Sequence, residues 1–330
     1  MRAAVLTDTH DLEVTEVADP TPGSGELVLR VTACGICGSD LKLRPMMPAG
    51  LVMGHEFCGE VVALGADVAG DWHEGQHVTA LPIFGCGRCL ACVSGEPAHC
   101  EQADLVGVGG SAGAFAEYVR VDSRETIALP ESLDPVLGAL VEPLAVGLHA
   151  VERSLPRAGD RALVIGAGPV GLAVMTWLAH FGVQELVVSD PSAVRRQAAE
   201  EFGATRTIDP STEPLEARYD LVVECVGLPG MTDACVGAAT THGRIVIAGV
   251  CTHPDPYVPI SAVVKELSVA FAVYYTRREF FSVVDALGRG AVDAAPFVTE
   301  KVGLDGADAA FRALTEAKEQ RKILVLPELG

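Results

Sequence analysis

The stretch from residue 161 to 190 constrains the fold most. It begins with the apolar run Arg161-Ala-Leu-Val-Ile165 and continues through Gly166-Ala-Gly168-Pro169-Val170-Gly171 into an apolar helix over 169–181. A second apolar run, Glu185-Leu-Val-Val-Ser189, ends at Asp190. A G-x-G-x-x-G loop that leaves a buried strand and opens a helix has a defined mechanical meaning. Gly166 permits the tight turn, Gly168 lets the backbone approach a pyrophosphate, and Gly171 lets helix and strand pack closely. The helix start around Pro169 and Val170 offers unpaired N–H groups and partial positive charge to phosphates. Asp190 lies about 20 residues on, where a carboxylate accepts hydrogen bonds from ribose hydroxyls and repels a 2′-phosphate. NAD is therefore favoured, and the neighbouring Arg195 and Arg196 keep NADP open.

The same texture extends on both sides. Residues 144–154 and 192–202 read as helices, and Leu221-Val-Val-Glu224 and Arg244-Ile-Val-Ile-Ala248 as strands. Alternation of this kind predicts an α/β, doubly wound parallel sheet over 144–275. Residues 1–143 differ. Glu26-Leu-Val-Leu-Arg-Val-Thr32, Gly59-Glu-Val-Val-Ala-Leu64 and Phe115-Ala-Glu-Tyr-Val-Arg-Val121 are short β-like runs between Gly and Pro breaks, which predicts a β-rich, partly closed sheet. Residues 279–287 and 307–319 read as helices before a strand over 322–326. We expect this tail, 276–330, to return to the first domain. The 330 residues suffice for two domains of ordinary size.

Seven of the ten cysteines fall in two groups, Cys34, Cys37 and Cys58, then Cys86, Cys89, Cys92 and Cys100. The second group, Cys-x2-Cys-x2-Cys-x7-Cys, places four thiolates within 15 residues. Four thiolates close a tetrahedron around Zn²⁺ with Zn–S near 2.3 Å and leave no open position, so a lobe over about 85–101 reads as a structural zinc site. His99 adjoins this lobe as a neighbour. A dispersed set, Cys37, His55, Glu56 and Glu142, offers sulfur, nitrogen and oxygen ligands with a position left for water or substrate, the make-up of a catalytic zinc site. The expectation is two zinc ions per chain.

With 24 basic and 44 acidic residues the net charge is -20, which repels nucleic acid phosphates and anionic lipid and argues against both as partners. No segment reads as the roughly 20 consecutive apolar residues that cross a bilayer. The opening MRAAVLTDTHDLEV lacks the apolar core of a signal peptide. The expected location is the cytoplasm.

The motifs Gly-Ile-Cys37-Gly-Ser-Asp40, Gly54-His55-Glu56, the four-cysteine lobe, Glu142-Pro143-Leu144, the glycine loop and Glu224-Cys-Val-Gly227 occur in one order along the whole chain. In that order and spacing the chain resembles the zinc-containing medium-chain dehydrogenases, close to their sorbitol and butanediol dehydrogenase branch. The resemblance implies a GroES-like catalytic domain formed by both chain ends and an inserted Rossmann domain. It implies Cys37 and His55 as ligands of a catalytic zinc, with Glu56 and Glu142 as the carboxylates that complete its shell. Asp40 would hold the second nitrogen of His55. Where family members often carry a relay histidine, this chain has Leu41 and Lys42. The proton path then runs from Ser39 through the cofactor ribose, or involves Lys42. Val250, with Cys251, Tyr274 and Tyr275, is expected beside the cofactor. Met46, Met47 and Met53 either line a pocket or pack the core. The implied reaction moves a hydride between a secondary alcohol, diol or polyol and NAD, giving a ketone or aldehyde. A carbonyl or enone reductase, an amino-alcohol (threonine-type) dehydrogenase and a non-catalytic NAD- and zinc-binding protein are the rival readings. Relatives imply a homodimer or homotetramer.

Overall fold

A computed structural model describes residues 1–316 and 320–330. The chain forms two compact units, Met1–Glu142 with Thr276–Gly330, and Pro143–Tyr275.

The first unit is built on a seven-stranded sheet. Its order is Val298–Val302, Lys322–Val325, Glu26–Gly35, Glu56–Leu64, His77–Ala80 and Thr126–Ala128, with Tyr118–Asp122 also paired to Glu26–Gly35. Alternation in Glu26–Gly35 sends Leu27, Leu29 and Val31 into a core shared with Phe57, Val61, Val119, Val121, Ile323 and Val325. Phe115 and Phe311 meet edge to face there, with ring centroids 5.7 Å apart. The antiparallel register sets Gly35 opposite both Glu56 and Leu324. Three strand ends therefore converge beside Cys37, and the last strand of the chain brings Lys322 to that corner.

The second unit holds a six-stranded parallel sheet in the order Arg206–Ile208, Glu185–Ser189, Arg161–Ile165, Tyr219–Glu224, Ala239–Ile247 and Ser268–Phe271. The chain starts at Arg161–Ile165, winds outward to one edge, then crosses back to Tyr219–Glu224 and winds to the other. This reversal leaves a crevice at the carboxyl ends of the two central strands, where doubly wound sheets bind ligands. Trp177, on the helix Pro169–His180, anchors the preceding helix by donating its indole N–H to the Leu144 carbonyl at 2.8 Å.

Several expectations shift in detail. The strand expected over 115–121 spans Tyr118–Asp122, because Phe115 instead donates to the Met53 carbonyl and accepts from Ala4 N. The helix expected from 279 starts at Arg277, since Thr276 and Glu279 form a reciprocal capping box. The helix expected from 144 starts at Val141 and follows a 3-10 turn, Pro135–Leu140. Together these make a 20-residue helical run, Pro135–Ser154, of mean hydropathy 1.3, which has the length and average composition of a membrane-crossing helix although Glu142, Glu152 and Arg153 interrupt its apolar residues. Its most apolar window is 67% buried inside the protein, as in a core helix. The helix expected over 307–319 is Ala307–Glu316, and residues 317–319 lie outside the described residues.

Candidate functional site

In the second unit the glycine loop occupies the central crevice. Gly166 takes φ +99, a left-handed turn that favours glycine. A Cβ built at Gly168, the N-cap of Pro169–His180, would meet no protein atom within 4 Å. Its surface is thus open on the side from which a pyrophosphate would come, and the loop fits a dinucleotide. Asp190 is 4% exposed, and its carboxylate accepts from Ala167 N at 2.9 Å and Ser192 N at 2.8 Å. Arg195 stands 3.9 Å from that carboxylate. Arg196 is committed elsewhere, donating to the Asp190 carbonyl at 2.7 Å and pairing with Asp209 at 3.2 Å. Glu224, whose role the sequence did not reveal, is 2% exposed and accepts from Val226 N and Gly227 N, which fixes a second turn beside the first. Gly227 in that turn lies against the Val250 backbone, while Val250 itself is 62% exposed. Tyr275 is buried and Tyr274 is partly exposed with φ +58.

In the first unit the sulfurs of Cys86, Cys89, Cys92 and Cys100 all lie within 4.8 Å of one another. Backbone N–H groups already point at them, from Cys89 to Cys86 Sγ and from Gln102 to Cys100 Sγ, both at 3.4 Å. Donors from the Arg88 and Cys89 backbone draw the Cys86 thiol down to about 6, whereas burial pushes Cys92 up to about 12. Four sulfurs so gathered, with amides oriented to stabilise thiolates, fit a tetrahedral zinc ion.

The second cluster is Cys37, His55 and Glu56, whose ligand atoms also lie within 4.8 Å of one another. Cys37 caps the helix Gly38–Leu43, its sulfur accepting from Ser39 N at 3.4 Å while Asp40 accepts from Cys37 N at 2.9 Å. His55 Nδ1 lies 3.2 Å from Asp40 Oδ1, within ion-pair reach but without hydrogen-bond alignment. Its Nε2 lies 3.4 Å from Ser39 Oγ. Burial alone would lower the His55 pKa, but the nearby charge of Asp40 foremost, with that of Cys37, holds it well above the ordinary value. Thiol, imidazole and carboxylate converging on one point form a donor set suited to zinc.

Glu56 is fully buried, and both its oxygens accept from Lys322 Nζ at 2.7 Å. Lys322 also donates to the Ile36 carbonyl at 3.1 Å. Gly35 makes room for this pair, because a Cβ there would stand 2.2 Å from Glu56 Oε2. Sequence reasoning missed Lys322; the signal was a lysine heading an otherwise apolar strand. Glu142, 8% exposed at the start of Val141–Ser154, is outside the compact trio, although its charge contributes to raising the Lys322 pKa. Cys34 and Cys58, clustered with Cys37 in sequence, are core thiols. Burial pushes Cys58 up to about 12, and it donates to the Pro135 carbonyl at 3.0 Å. Met53 is buried in the core and Met47 packs against it, whereas Met46 is 68% exposed.

Comparison with known proteins agrees with this arrangement. Residues 23–131 match the alcohol dehydrogenase GroES-like domain, and residues 169–289 match the zinc-binding dehydrogenase family. An (R,R)-butanediol dehydrogenase of Bacillus subtilis (strain 168) is 34% identical over 99% of this chain and 100% of its own length. A zinc-binding dehydrogenase of Sinorhizobium meliloti 1021, bound to NADP, superposes with a TM-score of 0.91 at 31% identity over 99% of both chains. An alcohol dehydrogenase of Escherichia coli CFT073, complexed with NADH, does so with a TM-score of 0.91 at 26% identity over 99% of both chains. A parallel nucleotide-binding sheet, a four-cysteine lobe and a Cys-His-Glu cluster define a zinc-dependent dehydrogenase. The chain belongs to the zinc-containing medium-chain alcohol dehydrogenase family, in its sorbitol and butanediol dehydrogenase-like branch. It is accordingly a zinc- and NAD-dependent oxidoreductase of alcohols or polyols.

Proposed function

We propose that the chain oxidises a secondary alcohol, a vicinal diol or a polyol to the ketone, with NAD as hydride acceptor. The observation that carries this reading is the Cys37, His55 and Glu56 cluster, a sulfur, nitrogen and oxygen donor set of three. Zinc supplies Lewis acidity that makes a hydroxyl acidic near neutral pH, and NAD takes up the hydride. Cys37, His55 and Glu56 would hold the metal, with Glu142 as a further carboxylate for it. Asp40, its carboxylate 3.2 Å from Nδ1, orients the His55 ring by its charge. Ser39 Oγ receives the substrate proton and passes it on. Cys86, Cys89, Cys92 and Cys100 hold the structural zinc.

In the nucleotide-binding unit, over about 144–275, Gly166, Gly168, Pro169, Val170 and Gly171 receive the pyrophosphate. Asp190 takes the adenosine ribose, with Arg195 at its edge and Val250 beside the cofactor. The segments 1–143 and 276–330 make up the GroES-like catalytic domain. The preference for NAD over NADP is supported by the carboxylate of Asp190 and by the engagement of Arg196 with Asp209.

A homo-oligomer is supported by the open edge of the parallel sheet. Ser268–Phe271 ends that sheet, and Ile260, Val263, Val264 and Phe271 around it are each 62% to 73% exposed. An exposed apolar edge strand is best covered by the same strand of a second copy. Phe271→Asp should shift the species seen by light scattering towards monomer. A cytoplasmic location is supported by the gathering of Cys86, Cys89, Cys92 and Cys100 into a cluster suited to a metal.

The decisive test incubates the protein with NAD and a panel of secondary alcohols, diols and polyols, following NADH absorbance. Turnover abolished by a zinc chelator is the expected result. No turnover on any class, in protein holding two zinc ions, would overturn the reading.

A further inference from the structure

The four-cysteine lobe is gripped from outside by two arginines that the sequence gives no reason to notice. The corner Asp122–Glu125 organises both. Asp122, 5% exposed, fixes the Arg124 guanidinium through Nε at 3.0 Å and through Nη2. Arg124 Nη2 also donates to the Gly85 carbonyl at 2.9 Å, immediately before the first ligand, Cys86. The guanidinium lies so close over Gly87 that a Cβ there would stand 1.6 Å from Nη1, and Gly87 sits at φ +74. The charge of Cys92 is among the influences that raise the Arg124 pKa, after Asp122 and Glu125. On the other flank, Arg277 donates its backbone N–H to the Gly95 carbonyl at 2.7 Å, while its side chain pairs with Glu125.

We propose that Arg124 is a positioning residue for the structural zinc, holding the Gly85–Cys86–Gly87 turn in its ligating shape and presenting positive charge to the tetrathiolate. A zinc ion with four thiolates carries a formal charge of −2, so a guanidinium fixed beside it favours the bound state. Partners that orient ligands in this way typically change metal affinity by about 10–100-fold. Asp122 is what makes Arg124 effective, because it fixes the fork that reaches Gly85. Lysine offers the charge but cannot bridge a carboxylate and a carbonyl through one planar group. The proposal rests on the assignment of zinc to the four cysteines.

The test replaces zinc by cobalt, whose thiolate charge-transfer bands distinguish a four-sulfur site from a one-sulfur site, and follows metal release to a chelator at each. Wild-type protein must first show the four-sulfur bands and lose them in Cys89→Ser; failure here overturns the zinc assignment itself. With the bands present, Arg124→Gln should speed release from the lobe at least about fivefold and leave the Cys37 site unchanged. Arg124→Lys should fall between. Gly87→Ala displaces the same guanidinium, so its effect should be smaller in the Arg124→Gln background than alone. Release from the lobe within fivefold of wild type, or equal acceleration at both sites, would overturn the role of Arg124.

Discussion

Lys322 Nζ lies 2.7 Å from both carboxylate oxygens of Glu56, and each side chain is 1% exposed. The pair joins the last strand of the chain to the strand that follows the catalytic candidate His55. Burial opposes the Lys322 charge, but Glu56 foremost, with Cys37 and Glu142, holds its pKa above the ordinary value. Removing one partner of a buried pair leaves an uncompensated charge, at a cost of about 3–5 kcal/mol.

Lys322→Met should therefore destabilise the first unit by about 3–5 kcal/mol, and Glu56→Gln by a similar amount. The double variant should lose clearly less than the two single losses combined, since neither charge is then stranded. Urea unfolding of the four proteins measures the coupling. Strict additivity would mean that the pair is not formed.

The two glutamates should separate by zinc content. Glu56→Gln removes a donor from the compact trio and should yield protein with about one zinc per chain, the structural one. Glu142→Gln should keep two and lose turnover, because Glu142 lies outside that trio. Elemental analysis alongside NADH production distinguishes them; the reverse pattern would transfer the ligand role to Glu142. Cys37→Ala and His55→Ala should abolish turnover while NADH binding, read by fluorescence, persists.

Asp190 accepts the Ala167 amide of the glycine loop and stands where ribose hydroxyls would come. Asp190→Ala should raise the KM for NAD about tenfold or more, and that for NADP much less, because the variant no longer repels a 2′-phosphate. The ratio of kcat/KM values for the two cofactors reads this directly. An unchanged ratio would remove Asp190 from cofactor selection.

Much of this architecture was legible because local rules suffice for it. The buried strand at Arg161–Ile165 and the glycine loop specify their own geometry through a few neighbouring residues, and so does the four-cysteine spacing. Lys322 was not legible, because its meaning depends on a partner 266 positions away in the chain. The register that sets Gly35 against both Glu56 and Leu324 creates that meeting, and no periodicity in either segment announces it. Arg124 was hidden for the same reason: its grip on Gly85 spans 39 positions. Cys34 and Cys58 show the converse: they are grouped with Cys37 in sequence, yet their places on the strands Glu26–Gly35 and Glu56–Leu64 bury them in the core.

Asp220 gives the nucleotide-binding sheet an acid-sensitive fastening. Its carboxylate accepts from Arg161 N and Nε, both at 3.0 Å, and so ties the starts of the two central strands, Arg161–Ile165 and Tyr219–Glu224. The hydrogen bond from the Arg161 side chain, more than its backbone bond or charge, lowers the Asp220 pKa against the opposing effect of burial. A carboxyl lowered in the folded state binds protons more weakly than in the unfolded chain, where its pKa is about 3.9. Its stabilising contribution is thus complete above that value and fades as pH falls through the lower, folded one. Asp220→Asn should unfold at lower urea than wild type at pH 7, and the gap should narrow as pH is taken below about 4. Because acid also strips zinc from thiolates, the informative quantity is this difference between the two proteins and not either curve alone. A gap that stayed constant down to pH 3 would show that the Asp220 carboxylate titrates alike in the folded and unfolded chains.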